Sequence, residues 1–328
     1  MEARLAIEEA RKLKDWLLRQ PYSGDQSLYA ILDAAREASI PGKLQQLGVE
    51  FVSLYRGEPE ETLAAVAPYL VKLDQQARAL EWLLNEGGGK SWGIFLISAA
   101  SLEDLRRHFR HFLLVRDPEG KELYFRFYDP RVLRIYLPTC TAFEAKRFLG
   151  PVTNYEVESE DGQGVLDFSK RGARKIPLSE LHANPATGPD SIVETSVESC
   201  VKPNTRRLKI REEQMKAFSE YMHASFDKRA ADHLRTKHPA ATKAMTDIEL
   251  HSLIQAGVGR AGKYELTRET EVEVFLDLIM LFGVDFDARL QWGGEVLQNP
   301  DLARREKFEC LREHRDAEVD RRMGNDNE

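Results

Sequence analysis

The sequence predicts a mixed α/β lobe followed by a mostly α-helical lobe. Three observations carry that reading. Between residues 20 and 150, short apolar runs bounded by turn residues alternate with stretches of helical spacing. Residues 151–205 are rich in Gly and Pro and hold few long apolar runs, which predicts a connector. After residue 206, apolar side chains recur at helical spacing behind helix-start signals. The expected division is an α/β domain with an N-terminal helix over 1–150, a connector that can form a hairpin over 151–205, and a helical domain over 206–328.

In chain order, residues 1–20 set Leu5, Leu13, Trp16 and Leu17 along one side of an amphipathic helix. "SLYAILDAA" (27–35), "GVEFVSLYRG" (48–57) and "PYLVKL" (68–73) read as strands, with short helical stretches at 59–66 and 74–86. "SWGIFLISAA" (91–100) is the most apolar run of the lobe and reads as a buried central strand. Ser101 and Asp104 then sit at cap spacing ahead of a helix. "ELYFRFYD" (122–129) alternates, with Leu123, Phe125 and Phe127 on one face and Tyr124, Arg126 and Tyr128 on the other, which predicts a strand. Thr141 and Glu144 form a capping box, and Gly150-Pro151 stops the helix they open. The connector offers a hairpin turning at Asp161–Gly164. Beyond it, Met215, Phe218, Met222 and Phe226 follow helical spacing, Thr246 and Glu249 form a second capping box, and helices are expected over 267–283 and about 300–322.

Composition narrows the function. The net charge is −7, with 42% hydrophobic and 31% charged residues. The first 150 residues balance acid against base, and the acidic excess lies after residue 151. No basic arm is present to displace counterions, so a nucleic-acid partner is not expected. Cys140, Cys200 and Cys310 are isolated and odd in number, which fits a reducing compartment. Acids interrupt the N-terminal stretch, so it does not read as a signal peptide. No run approaches ~20 apolar residues, so no membrane insertion is expected. A cytoplasmic protein is the resulting expectation.

Several motifs resemble chemical signatures and fail on context. "GGGKS" (87–91) lacks the earlier glycine of a phosphate loop, and it follows a helix and precedes a strand. "GVGRAG" (257–262) spells a dinucleotide fingerprint with no strand before it, and reads as a glycine-rich turn between helices. His108 and His111 lie three apart without a third ligand and read as a solvated helix face, as do His233 and His238. No G-x-S-x-G or H-E-x-x-H pattern occurs. No catalytic residue, metal or cofactor is therefore assigned.

The stretch "YFRFYDPRVLRIYLP" (124–138) concentrates aromatics and arginines. Asp129 suits a helix N-cap and Pro130 the position after it, so both are read as a structural cap. Arg126, Arg131 and Arg134 are either surface residues or a clamp on a partner's carboxylates. If Leu123, Phe125 and Phe127 fill the core, Tyr124, Arg126 and Tyr128 face a partner. If a helix covers both faces instead, Arg126 is tied to an internal carboxylate.

"LYAILDAA", "SWGIFLISAASLEDLRRHFRHFLLV" and "LYFRFYDPRVLRIYLPTC" resemble the N-terminal domain of the type VI secretion effector chaperone, or adaptor, family, long catalogued only as a domain of unknown function. "TDIELHSLIQAGVGRAGKYELTRETEVEVFLDLIMLFGVDF" resembles the helical region that follows it in many members. The resemblance implies a non-catalytic cytoplasmic protein that binds a cognate effector, a toxin, and helps load it onto the VgrG spike protein. It brings no catalytic motif. On the residues alone, an α/β enzyme binding a nucleotide or small anion beside Arg126, Arg131 or Lys90 stays open.

Overall fold

The computed structural model describes residues 7–19, 25–55, 61–73, 76–181 and 207–325. The chain forms two compact units, Met1–Phe218 and Ser219–Glu328.

The first unit is built on a seven-stranded sheet. Strand β1 (Ser27–Asp33) lies between β3 (Pro68–Lys72) and β4 (Gly93–Ser98), and β2 (Phe51–Ser53) pairs outside β3. On the other side, β7 (Val152–Glu158), β8 (Gly164–Ser169) and β9 (Gly172–Pro177) continue from β4. Every pairing in this sheet is antiparallel. The apolar run of β1 follows from its two covered faces. Leu28, Ala30 and Leu32 enter one core, and Tyr29 and Ile31 enter the other.

On the first face lie α1 (Ile7–Arg19), α2 (Ile40–Gln46) and α4 (Ala77–Gly87), which contribute Leu13, Trp16, Leu17, Leu44 and Leu84. A short helix α3 (Glu61–Ala64) precedes β3. The second face is covered by α5 (Leu102–Arg110), α6 (Pro130–Tyr136), α7 (Ala142–Leu149) and the hairpin of β5 (Leu114–Arg116) with β6 (Glu122–Tyr124). Its centre is aromatic. Phe127 packs against Phe109, Phe112 and Phe148 with ring centroids 5.6, 6.4 and 5.6 Å apart. The expected caps form: Ser101 accepts from the Asp104 N–H, and Thr141 and Glu144 cap each other's backbone.

Two expectations are corrected here. The strand expected over 122–129 ends at Tyr124. The Phe125 N–H still donates to the Leu113 carbonyl, but the chain then turns, with the Asp129 N–H on the Arg126 carbonyl at 2.9 Å. Turning delivers Phe127 and Tyr128 to the core, a burial that strict alternation would have denied Tyr128. The expected connector is, as far as Leu181, part of the main sheet. Its glycines are hairpin residues: Gly162 and Gly172 have φ of +67° and +132°. The hairpin turning at Asp161–Gly164 is present, with Glu158 opposite Val165. Residues 182–206, Cys200 among them, lie outside the described residues.

Helix α8 (Glu212–Lys237) begins before the unit boundary. The second unit continues through α9 (Pro239–Thr242), α10 (Asp247–Gly262), α11 (Glu269–Phe282), α12 (Phe286–Arg289), α13 (Gln291–Leu297) and α14 (Arg304–Asn325). Its core surrounds α11, whose Val272, Val274, Phe275, Leu276, Leu278 and Ile279 are all buried. Burial on nearly every side explains why the sequence there is apolar with little periodicity. Thr246 and Glu249 form the expected capping box. "GVGRAG" is not a turn, because it lies inside α10. A Cβ on Gly257 would stand 2.4 Å from Leu276 Cδ2, so this glycine permits the close approach of α10 to α11. No helix among the described residues is long and apolar enough to cross a membrane.

Candidate functional site: an arginine–tyrosine surface over buried carboxylates

The turn from β6 into α6 is held by one carboxylate. Asp129 caps α6, accepting the Arg131 N–H at 3.0 Å, and Pro130 follows at the first helical position. The Arg131 guanidinium folds back onto the same carboxylate through Nε and Nη2, at 3.0 and 2.6 Å. Asp129 is buried, while the Arg131 side chain is over a third exposed.

Arg126 makes a similar arrangement with a residue distant in sequence. Its Nη2 donates to Asp33, at the end of β1. The Asp33 side chain has no exposed surface, whereas that of Arg126 is 40% exposed. Asp33 also accepts the Ala35 N–H at 3.0 Å. Burial tends to lower the pKa of Arg126, but the bond and charge of Asp33, with smaller help from Tyr128 and Asp129, together raise it overall. The Tyr128 hydroxyl is held above its ordinary pKa by burial and then by the charge of Asp33. Tyr124 is also raised, first by burial and then by the Tyr55 hydroxyl. Tyr55 meets the Tyr124 ring edge-on, with centroids 5.9 Å apart. On the far side, Arg110 donates to the Tyr55 and Leu54 carbonyls.

The structure therefore brings Tyr124, Arg126, Tyr128 and Arg131 together but divides their roles. Tyr124 is 44% exposed and Tyr128 only 1%, so the two do not share an outward face. Arg134 belongs elsewhere, donating to the Glu158 carbonyl at 2.8 Å. Sequence reasoning missed Tyr55 and Asp33. For Asp33 a signal was available, since a carboxylate closes an apolar strand in "SLYAILD". Tyr55 had none, because its contact with Tyr124 joins segments about seventy residues apart.

The "GGGKS" loop does bind an anion, and the anion is internal. Glu158 accepts the Gly89 N–H at 2.9 Å, the Ser91 N–H at 3.1 Å and the Ser91 hydroxyl at 3.2 Å. Gly89 and Ser91 have φ of +77° and +54°, which turns their N–H groups inward. Burial raises the Glu158 pKa, and these bonds oppose it. Beside this loop, Leu13, Leu17, Leu84, Trp92, Phe95 and Glu156 line a mostly apolar cavity of about 50 Å³. That is room for a few waters. The Glu156 carboxyl there has an unpartnered Oε2, and burial followed by the Asp167 charge raises its pKa well above the ordinary value.

Of the four histidines expected on solvated faces, His111 is exposed, whereas His108, His233 and His238 are partly buried. Burial depresses His108 to about 4, and its Nε2–H donates to the Phe148 carbonyl at 2.9 Å. His233 and His238 both direct Nε2 at the Asp277 Oδ1, at 2.9 and 2.8 Å. Among the described residues, no group of three or more His, Cys, Asp or Glu is placed to hold a metal ion.

Comparison with known proteins matches residues 28–147 to the family described as Domain of unknown function (DUF4123). That span contains Asp33, Tyr55 and the whole β6–α6 turn. Over 116 residues the chain is 28% identical to the accessory protein VasW of Vibrio cholerae serotype O1, covering 35% of this chain and 38% of that protein. The chain thus matches well under half the length of that relative. No solved structure matches. Residues 28–147 of this chain therefore match the model of the DUF4123 domain, and the stretch 124–138 lies inside that match.

Proposed function

We propose that this protein is a non-catalytic adaptor, or chaperone, of a type VI secretion apparatus. In this reading it binds a cognate effector and helps load it onto the VgrG spike. The observation that carries it is the coincidence of the matched domain with an outward surface of tyrosine and arginine. Those residue types are enriched where proteins grip one another. The name of the Vibrio relative, an accessory protein, supports the non-catalytic part. So does the chemistry of the lobe, because Asp33, Asp129 and Glu158 are each committed to internal partners.

The test is co-purification of the full chain with the products of adjacent genes, using wild type, Arg126→Ala and Arg131→Glu. A thermal melt establishes that each variant is folded. The expected result is a stable complex for wild type that both variants weaken. Folded variants that retain the effector as tightly as wild type would move the interface to the helical unit. Absence of any complex with a spike or effector protein would remove the adaptor reading.

A further inference from the structure

The exposed surface around Tyr124 pairs a cation with an apolar strip. The full chain carries a net charge of −7, yet here the carboxylates lie underneath. Asp33 and Asp129 are buried, while the guanidiniums they hold are 40% and 37% exposed. At these two pairs solvent therefore meets arginine rather than acid, while the exposed Glu122 is itself paired with Arg116 and Arg207. Among the described residues, Arg126 bonds only to Asp33, through Nη2. Among the same residues nothing bonds to its Nη1, and its Nε is buried without a partner. The guanidinium is anchored on one side and open on another.

Next to it runs the apolar strip. Tyr124 is 44% exposed, and Leu114, its cross-strand neighbour on β5, is 40% exposed. The Tyr55 ring leans on Tyr124, and its hydroxyl reaches the carbonyl of Val66, itself 41% exposed. These groups are held in place before any partner arrives. The Tyr124 ring is held edge-on against Tyr55, and Arg126 is tied to the end of β1. Little side-chain freedom remains to be lost on binding.

We propose that this surface recognises a protein segment presenting an acidic side chain next to a bulky apolar one. The carboxylate meets the open edge of Arg126, a planar donor suited to it. The apolar side chain lies across Tyr124, Leu114 and Val66. The proposal rests on the adaptor reading only in taking the partner to be a protein, and it adds what that partner must display. A polyanion such as nucleic acid fits less well, since Glu103 and Glu122 are exposed on neighbouring elements.

The test uses a displayed library of random short peptides selected on the immobilised full chain. Selected peptides are then titrated by fluorescence anisotropy. The expected result is enrichment of Asp or Glu beside Leu, Ile, Phe or Trp, with affinity that falls as salt rises. Tyr124→Ala should weaken binding by about tenfold or more, as a hot-spot truncation does. Arg126→Lys keeps the charge and loses the fork, and should also weaken it. Arg171→Ala, in the turn between β8 and β9, should change nothing. Arg126→Ala strands Asp33 without its cation and puts folding at risk, so Tyr124→Ala and Leu114→Ala, which remove exposed side chains, keep the test decisive. Selected peptides lacking the acid–apolar pair, or binding folded Tyr124→Ala and Arg126→Lys as tightly as wild type, would overturn the proposal. Tighter binding of a DNA oligonucleotide than of any peptide would overturn it too. If acid–apolar peptides bind through these residues while no effector co-purifies, the surface chemistry stands and the adaptor reading falls.

Discussion

Asp129 and Glu158 are carboxylates whose neighbours explain them without chemistry on a substrate. Asp129 satisfies an orphan helix N–H and pairs with Arg131. Asp129→Ala should therefore lower stability by about 0.5–2 kcal/mol, as lost N-caps do. Asp129→Asn keeps an acceptor for the cap and loses only a pair whose cation is partly exposed, so its cost should stay below about 1 kcal/mol. Chemical denaturation of the two variants measures both. Glu158 fills the concavity that the "GGGKS" loop forms, and a nucleotide phosphate has no free N–H groups to meet there. Calorimetry with ATP and magnesium should give no heat beyond dilution. Saturable binding that Lys90→Ala abolishes would mean the loop opens.

Helix α10 carries a contrast between two of its glycines. Gly257 faces α11, where a Cβ would collide with Leu276 and press on Ile279. Gly259, two residues on, has nothing within 4 Å. Replacing glycine by alanine inside a helix contributes about 0.5–1 kcal/mol from backbone entropy alone. Gly259→Ala should show that gain as a higher melting temperature. Gly257→Ala should lose it and more, because overpacking a filled core costs about 1–3 kcal/mol. Equal shifts in the two variants would mean α10 and α11 are not in close contact. Sequence spacing places a fingerprint and a turn here, but the reason for the first glycine lies on another helix.

In the second unit as a whole, one carboxylate ties several helices. Asp277 on α11 accepts from His233 on α8 and from His238, and Arg315 on α14 stands 3.4 Å from it. The Asp277 bond raises the His233 pKa above 6.5. A raised histidine contributes stability that is complete below its unfolded value and is lost as pH rises through the folded one. Burial pushes the Asp277 pKa up, and the two histidines outweigh it, bringing the group to about 2. That contribution is present above the ordinary value of 3.8 and is lost as pH falls toward 2. Thermal melts should therefore show this unit weaker at about pH 8 than at about pH 6. Asp277→Asn should flatten that difference, and an unchanged slope in the variant would place the pH dependence elsewhere.

The sequence by itself determined most of the helices and the strands before residue 100, with many of their ends. Ser101, Asp129, Thr141 and Thr246 cap the helices their spacing marks, because capping is settled within four residues. The apolar run at 91–100 marked the middle strand of the sheet for a similarly local reason, since burial on both faces leaves few polar positions. Only the tertiary structure decided which charges meet. Arg126 finds Asp33 across the sheet, Glu158 finds the glycine loop nearly seventy residues earlier, and two histidines converge on Asp277. It also turned the expected connector into three strands, whose pairing with β4 no window of sequence contains. Local propensity is written in neighbours along the chain, whereas the partner of a buried charge is fixed only when distant segments pack and water is excluded.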